Sequence, residues 1–250
     1  MKKALKIIIA VFAVIIVAVG VVAVWQYQNI ISIVQGVRQN ADEIKAEQIA
    51  NSERLVSEIN EYMDDSLREP TDEEKELIEK GETTFIEVYA KIISEKTNQD
   101  IVYNSESKEF EETTKKEENE NNKGPINKEE VNNSSSKDAI VSKYVARLYA
   151  LESSFEARSE ALISEAYAYF LAEIEKTDPN VVRSKVIATY TPRVSAIQSE
   201  CDGAVNSIIK DLTGELKKIG ADTGIIKTIQ DTYQKEKQLK LSYYANKYLK

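Results

Sequence analysis

Acidic side chains recur at short spacings in the C-terminal half of the chain, and paired carboxylates are the groups with which many hydrolases work. Such pairs include Glu152/Glu156, Glu156/Glu160 and Glu173/Glu175. A glycosidase needs two carboxylates across a cleft, one of them with a pKa raised by burial. Here the acids alternate with Ser, Ala, Lys and Arg, which is typical of a solvated helix face. We therefore expect neither a catalytic site nor a metal site at these residues.

Cys201 is the only cysteine, and three interpretations compete for it: a core side chain, an inter-chain disulfide or a nucleophile. It follows Ile197 by one helical turn on an apolar stripe, where a thiol packs as a small hydrophobic group. The negative charges of Glu200 and Asp202 on either side disfavour a reactive thiolate. The core position is the favoured interpretation, and a lone cysteine excludes an intramolecular disulfide framework.

The chain contains no histidine. This excludes Ser-His-Asp and Cys-His catalytic arrangements, imidazole metal ligands and imidazole proton shuttles. Neither of the phosphate-binding patterns GxxxxGK[ST] and GxGxxG occurs. The sequence therefore predicts a protein that is not an enzyme and that uses no cofactor.

Tyrosines are concentrated in residues 138–250, which hold nine of the 13. Tyrosine is favoured at recognition surfaces because it offers a large area with few rotatable bonds and a polar tip. The same properties suit it to the rim of a thin helical bundle, so both alternatives stay open. The candidate face for a protein partner or a glycan consists of Tyr167, Tyr169, Tyr243 and Tyr244.

The element that would position everything else is the run of 19 uncharged residues from Ile7 to Trp25. As a helix it would span about 28 Å, close to the roughly 30 Å of a bilayer's hydrocarbon core. It exceeds the roughly 7–15 apolar residues of a secretory signal. We predict a permanent transmembrane anchor over residues 7–26, and the alternative is a cleaved signal peptide that releases a secreted helical protein.

The basic residues around this run predict its orientation. Lys2, Lys3 and Lys6 precede it, and the next basic residue is Arg38. By the positive-inside rule residues 1–6 are cytoplasmic and the C-terminal region is extracytoplasmic. We expect a single-pass protein of the cell membrane with no cytoplasmic output domain.

The rest of the chain is predicted to be all-α, because eight glycines, four prolines and 30% charged residues are typical of long helices. Residues 27–103 carry 18 acidic and eight basic side chains, which predicts an acidic helical stalk or hairpin that binds no nucleic acid. A heptad-like apolar seam over residues 27–62 leaves a homodimer open. Thr71 followed by Glu74 is a capping-box pattern that predicts a new helix start.

Two further segments complete the predicted architecture. Residues 104–137 hold few large apolar side chains and are predicted to be a disordered, charged linker. Residues 138–250 are predicted to form an elongated, coiled-coil-like, antiparallel three-helix bundle. Its helices would break at Asp178-Pro179 and at Gly220, with Pro192 kinking or splitting the second.

These features favour a membrane-anchored, non-enzymatic envelope protein that presents a helical bundle outside the membrane for a structural or interaction role. Such a protein is expected to have a protein partner in the envelope. The alternative is an accessory subunit of a sensory or signalling membrane complex, whose stalk would transmit a change across the bilayer.

Overall fold

The computed structural model describes residues 39–80, 82–114 and 130–249. These residues are mostly helical, as the composition predicted. The elements are α1 (Ala41–Tyr62), α2 (Asp72–Lys80), α3 (Phe85–Thr97), β1 (Gln99–Asn104), β2 (Glu109–Thr114), α4 (Glu130–Ile174), α5 (Pro179–Lys218) and α6 (Gly224–Leu249). None of the described helices combines the length and the apolar character needed to cross a bilayer, and the predicted anchor over residues 7–26 lies outside the described residues.

A two-stranded antiparallel hairpin, β1–β2, interrupts the helical chain, so the prediction of disorder from residue 104 onward is wrong for its first part. Tyr103 lies opposite Phe110, with 5.1 Å between the ring centroids. The Tyr103 ring is also 5.8 Å from the ring of Phe155 in α4. The hairpin thus buries Tyr103 against a distant helix, a contact that its own composition does not reveal.

The other end of the predicted linker is also corrected, because α4 begins at Glu130 and not at residue 138. Residues 115–129 of the predicted linker lie outside the described residues.

Contacts group the chain into two compact units, and each combines N-terminal with C-terminal residues. Unit 1 consists of Met1–Ser52, Glu156–Glu200 and Asp231–Lys250. Unit 2 consists of Glu53–Phe155 and Cys201–Gln230. This grouping differs from the predicted division into 27–103 and 138–250, because helices from both stretches pack together within each unit.

In unit 2, a capping box and an ion-pair network hold α2 in place. Thr71 and Glu74 cap each other as predicted: the Thr71 amide donates to Glu74 Oε2 at 2.9 Å, and the Glu74 amide donates to Thr71 Oγ1 at 3.2 Å. Glu74 also accepts hydrogen bonds from both terminal nitrogens of Arg68 and from Lys91 of α3. The network fixes α2 against α3 through a carboxylate whose side chain is only 9% exposed.

A buried carboxylate in unit 2 also fixes the chain that follows α1. Asp138 of α4 accepts hydrogen bonds from the backbone amides of Asp64, at 3.0 Å, and Asp65, at 2.7 Å. It therefore provides acceptors for two backbone donors that follow the end of α1.

In unit 1, α4 and α5 form an antiparallel pair. Arg158 of α4 contacts Glu200 of α5 at 2.8 Å, and Glu165 of α4 contacts Arg193 of α5 at 2.6 Å. The earlier residue of α4 thus pairs with the later residue of α5, as in an antiparallel pair. The core between the two helices consists of Leu162, Ala166, Phe170, Val182, Val186 and Tyr190. Pro192 lies inside α5, which is not split there.

Unit 1 also pairs α1 with α6 in antiparallel fashion. Lys235 lies 3.1 Å from Glu47, and Asn246 Nδ2 donates to the carbonyl of Gln39 at 2.6 Å. Ile44, part of the seam that suggested a homodimer, is fully buried within the chain. The homodimer stays a prediction, and residues 27–38 of its seam lie outside the described residues.

Candidate interaction surface

Two of the acidic residues that suggested a hydrolase form ion pairs with basic side chains. Glu156 lies 3.9 Å from Lys240 of α6, and Glu173 lies 3.3 Å from Lys176. Glu160 and Glu175 are exposed. Within residues 39–80, 82–114 and 130–249, no cluster of three or more acidic, Cys or His side chains could hold a metal ion.

Cys201 lies half-buried in α5. The expected core position is therefore only partly realised. The residue before it, Glu200, forms a two-pronged pair with Arg158, at 2.8 Å and 3.2 Å.

The structure places Tyr167 and Tyr169 on different sides of α4, because residues two apart on a helix are separated by about 200°. Tyr169 is half-buried against the α4–α5 core, and its ring lies 6.3 Å from that of Tyr190. This is the position expected of a rim residue. Tyr167 is instead 40% exposed.

Tyr243 and Tyr244 are neighbours on α6, and both are half-buried. Their rings meet edge to face with 5.6 Å between centroids. The ammonium of Lys45 lies 6.0 Å from the centroid of the Tyr243 ring, at the outer limit of a cation–π contact. The four candidate tyrosines consequently do not form one face: Tyr169 belongs to the rim, while the other three carry solvent-accessible area.

Sequence reasoning missed Leu171, which lies one helical turn after Tyr167. It is 39% exposed, so the two side chains form an apolar pair on the surface of α4. We call this pair, with the half-buried Ile163 one turn earlier, the Tyr167 face. The i, i+4, i+8 spacing from Ile163 was the available signal, but it competes with the stronger stripe that builds the α4–α5 core.

The opposite side of α4 is ionic. Both terminal nitrogens of Arg193 contact the carboxylate of Glu165, at 2.6 Å and 2.7 Å, and hold the pKa of Glu165 below its ordinary value. Tyr190 donates a hydrogen bond to the same carboxylate at 3.2 Å, and burial raises the pKa of its phenol. The Arg193 guanidinium lies 5.2 Å from the Tyr190 ring centroid. The charged side chains Glu165 and Arg193 thus pair with each other on one side of α4, and the Tyr167 face lies on the opposite side.

Three other large apolar side chains in the described ranges are exposed, of which Leu77 of α2 is the least so, at 38%. Val102 of β1 is 60% exposed and lies opposite Glu111, and Val181 in the first turn of α5 is 46% exposed. Single exposed apolar residues are normal on protein surfaces, so none of the three defines a site alone.

Comparison with protein-family models, with curated proteins and with solved structures found no match for this chain. The Tyr167 face and the Tyr243–Tyr244 pair are therefore interpreted from their own geometry.

Proposed function

We propose that the protein is a membrane-anchored, non-enzymatic component of the cell envelope that holds a helical bundle outside the membrane for a structural or interaction role. One observation carries the proposal: 19 uncharged residues from Ile7 to Trp25, preceded by three lysines. That length and that charge asymmetry are the two properties that retain a helix in a bilayer with its N-terminus inside.

The state of the ionised groups supports a non-enzymatic role. Catalytic carboxylates usually have raised pKa values and face a cleft. The carboxylates with displaced pKa values here are displaced downward, by Arg68 at Glu74 and by Arg193 at Glu165. Such groups stabilise packing and stay charged, so they are poorly suited to general acid catalysis.

The interaction role is assigned to one exposed tyrosine, Tyr167, and to the half-buried pair Tyr243 and Tyr244. Tyr167, Tyr243 and Tyr244 offer area and polar tips to a protein partner in the envelope, the combination that recognition surfaces favour. An anchored bundle meets such a partner at a raised local concentration, so modest affinity suffices.

Lysine-directed crosslinking in intact cells, followed by mass spectrometry, tests this role. We expect links to one or a few envelope proteins, and we expect their loss when Tyr243 and Tyr244 are both replaced by Ala. The matched control is Tyr233→Ala, a half-buried tyrosine of the same helix outside the candidate face. Links confined to the chain itself, or links that survive the double substitution at unchanged helix content, would count against the proposal.

A further inference from the structure

The strand β2 is an edge of the two-stranded sheet in unit 2. β1 pairs with one side of β2 along its whole length, from Glu109 to Thr114. Among the described residues, no backbone group outside β1 forms a backbone hydrogen bond with β2. Glu109, Glu111 and Thr113 are exposed. The outer side of β2 therefore offers a row of backbone donors and acceptors to a further strand.

The inner face of the hairpin is closed by α4. Tyr103 and Phe110 lie on this face, since the Tyr103 ring contacts both Phe110 and a ring of α4. Glu112 follows Phe110 by two residues and so lies on the same face of the strand. Its carboxylate pairs with Arg147 and lies 3.8 Å from the ammonium of Lys143. The charge on the inner face of β2 is thus balanced by basic residues of α4.

The outer face of β2 carries negative charge that is not balanced in this way. Glu109 and Glu111 flank Phe110 in sequence, so both lie on the face that points away from α4. Neither forms an ion pair with a described residue, and Glu111 accepts a hydrogen bond from the side-chain amide of Asn104 at 2.7 Å. Residues 99–114 together contain five acidic side chains and one basic side chain. The open edge is therefore bordered by acids that lack a basic partner among the described residues.

These charges determine which kind of strand fits the edge. A second copy of β2 would bring its own acids against Glu109 and Glu111, and like charges on neighbouring strands are destabilising. A strand with basic residues at every second position would place opposite charges beside both carboxylates. Its intervening residues would lie beside Phe110 and Glu112, where α4 already supplies cations, so they are best uncharged. The same acids that disfavour a second copy favour a basic strand.

We propose that the open edge of β2 binds an extended basic segment of a partner protein by strand addition. The segment has Lys or Arg at every second position and uncharged, β-branched residues between them. Main-chain hydrogen bonds supply the affinity, and the pairs with Glu109 and Glu111 select the sequence. This site lies in unit 2 and uses neither the membrane anchor nor the candidate tyrosines, so its test is independent of the function proposed above.

Binding of a synthetic peptide to the full-length chain in a non-ionic detergent tests this site. The probe is a fluorescently labelled, end-capped peptide of about ten alternating Lys and Thr residues, followed by fluorescence anisotropy. One control peptide is methylated at every backbone nitrogen, which keeps the charges but removes the main-chain donors, and the other has Glu in place of Lys. We expect the probe to bind at least about tenfold more tightly than either control. Absence of binding, or equal binding of the methylated peptide, would overturn the proposal.

Substitutions at the edge test the role of the two carboxylates. Glu109→Gln combined with Glu111→Gln should weaken binding of the probe about tenfold, because each exposed ion pair contributes about threefold. The matched control combines Glu160→Gln with Glu175→Gln, which removes the same charge from two exposed positions elsewhere. That control should change the affinity by less than about twofold, since distant exposed charges are screened. Equal weakening in both double variants would contradict a site at β2.

Hydrogen exchange in the wild-type chain keeps the proposal falsifiable if the double variants misfold. With the probe bound, outward-pointing amides within Glu109–Thr114 should exchange at least about tenfold more slowly, because they gain hydrogen-bond acceptors. The amides of Asp72–Lys80 in α2 serve as the internal control and should not change. Binding without slower exchange in β2 would show that the peptide is held elsewhere, and the proposal would fail.

Discussion

Replacing Glu74 by Gln should loosen α2 without unfolding the rest of the chain. Glu74 accepts hydrogen bonds from Arg68 at 2.8 Å and 3.0 Å, from Lys91 at 2.9 Å and from the Thr71 amide at 2.9 Å. Glutamine removes the charge and turns one acceptor into a donor that faces a cation. Arg68 keeps its 2.8 Å bond to Glu95, so it is not left unpaired.

The size of the effect follows from the number and kind of these bonds. Hydrogen bonds to charged groups contribute about 1.5–3 kcal/mol each, whereas exposed ion pairs contribute about 0–1 kcal/mol. Arg68 and Lys91 are substantially exposed, so their hydrogen bonds to Glu74 contribute less than fully buried ones would. We expect Glu74→Gln to cost about 2–3 kcal/mol in the opening of α2, which is about 30- to 150-fold in the opening equilibrium.

Native-state hydrogen exchange measures this opening directly, because it reports local stability amide by amide. The amides of Asp72–Lys80 should exchange about 30- to 150-fold faster in Glu74→Gln. The matched control is Glu76→Gln in the same helix. Glu76 forms an exposed ion pair with Lys80, so its loss should change the exchange rates by less than about threefold. If both variants exchange at the same rate, the hydrogen bonds to Glu74 do not hold α2 in place.

The pH dependence provides a second readout of the same group. The Arg68 hydrogen bonds, followed by the Thr71 amide and Lys91, hold the pKa of Glu74 well below its ordinary value of 4.5. A carboxylate whose pKa falls on folding stabilises the folded state above the unfolded pKa, and that stability is lost as the pH falls through the folded value. The difference between wild type and Glu74→Gln should therefore be constant above about pH 5.5 and shrink progressively below about pH 4.5.

Three further substitutions test other parts of the fold. Phe170→Ala empties a fully buried position between α4 and α5 and should lower the free energy of unfolding by about 3–5 kcal/mol in urea denaturation. Asp138→Asn leaves a single side-chain acceptor for the amides of Asp64 and Asp65, so at least one of them should exchange about tenfold faster or more. Pro192→Ala restores a backbone donor inside α5 and should raise the free energy of unfolding by about 1 kcal/mol; a loss of stability would show that α5 depends on the proline.

Helix boundaries were the most predictable feature, because they depend on local chemistry. The predicted break at Asp178-Pro179 is present: α4 ends at Ile174 and α5 begins at Pro179, and the Asn180 amide donates a hydrogen bond to the Asp178 carboxylate. Gly220 adopts a φ of 70° just past α5, and the Ala221 amide donates to the carbonyl of Leu216, as in a glycine C-cap. Both signals lie within five residues of the boundary they mark.

The β-hairpin was not predictable, because what stabilises it is distant in sequence. The sequence of its strand β2, EFEETT, contains three acidic residues and one large apolar residue. In the fold, the guanidinium of Arg147 lies 5.4 Å from the ring centroid of Phe110 and 5.1 Å from that of Tyr144. Arg147 also pairs with Glu112 of β2 at 2.5 Å. These partners from α4 supply the apolar and ionic contacts that the hairpin sequence lacks by itself.

The candidate surface was predictable only in part, since tyrosine content indicates recognition potential but not exposure. Tyr167 is exposed while Tyr169, two residues on, packs at the rim of the α4–α5 core. Leu171, one helical turn after Tyr167, is 39% exposed and contributes to the same face. The sequence of a helix shows the spacing of its apolar residues but not which of them a neighbouring helix covers.

Membrane fractionation combined with protease protection tests the proposal that residues 7–26 anchor a bundle outside the membrane. We expect the full-length chain to stay in the membrane fraction after alkaline washing. Protease added from outside should cleave it within the predicted linker, residues 104–137, in intact cells and leave an anchored N-terminal fragment. A chain that begins near Val24 and is recovered in the soluble fraction would show that residues 7–26 are not retained as an anchor, and cleavage only after the cells are lysed would show that the bundle does not lie outside the membrane.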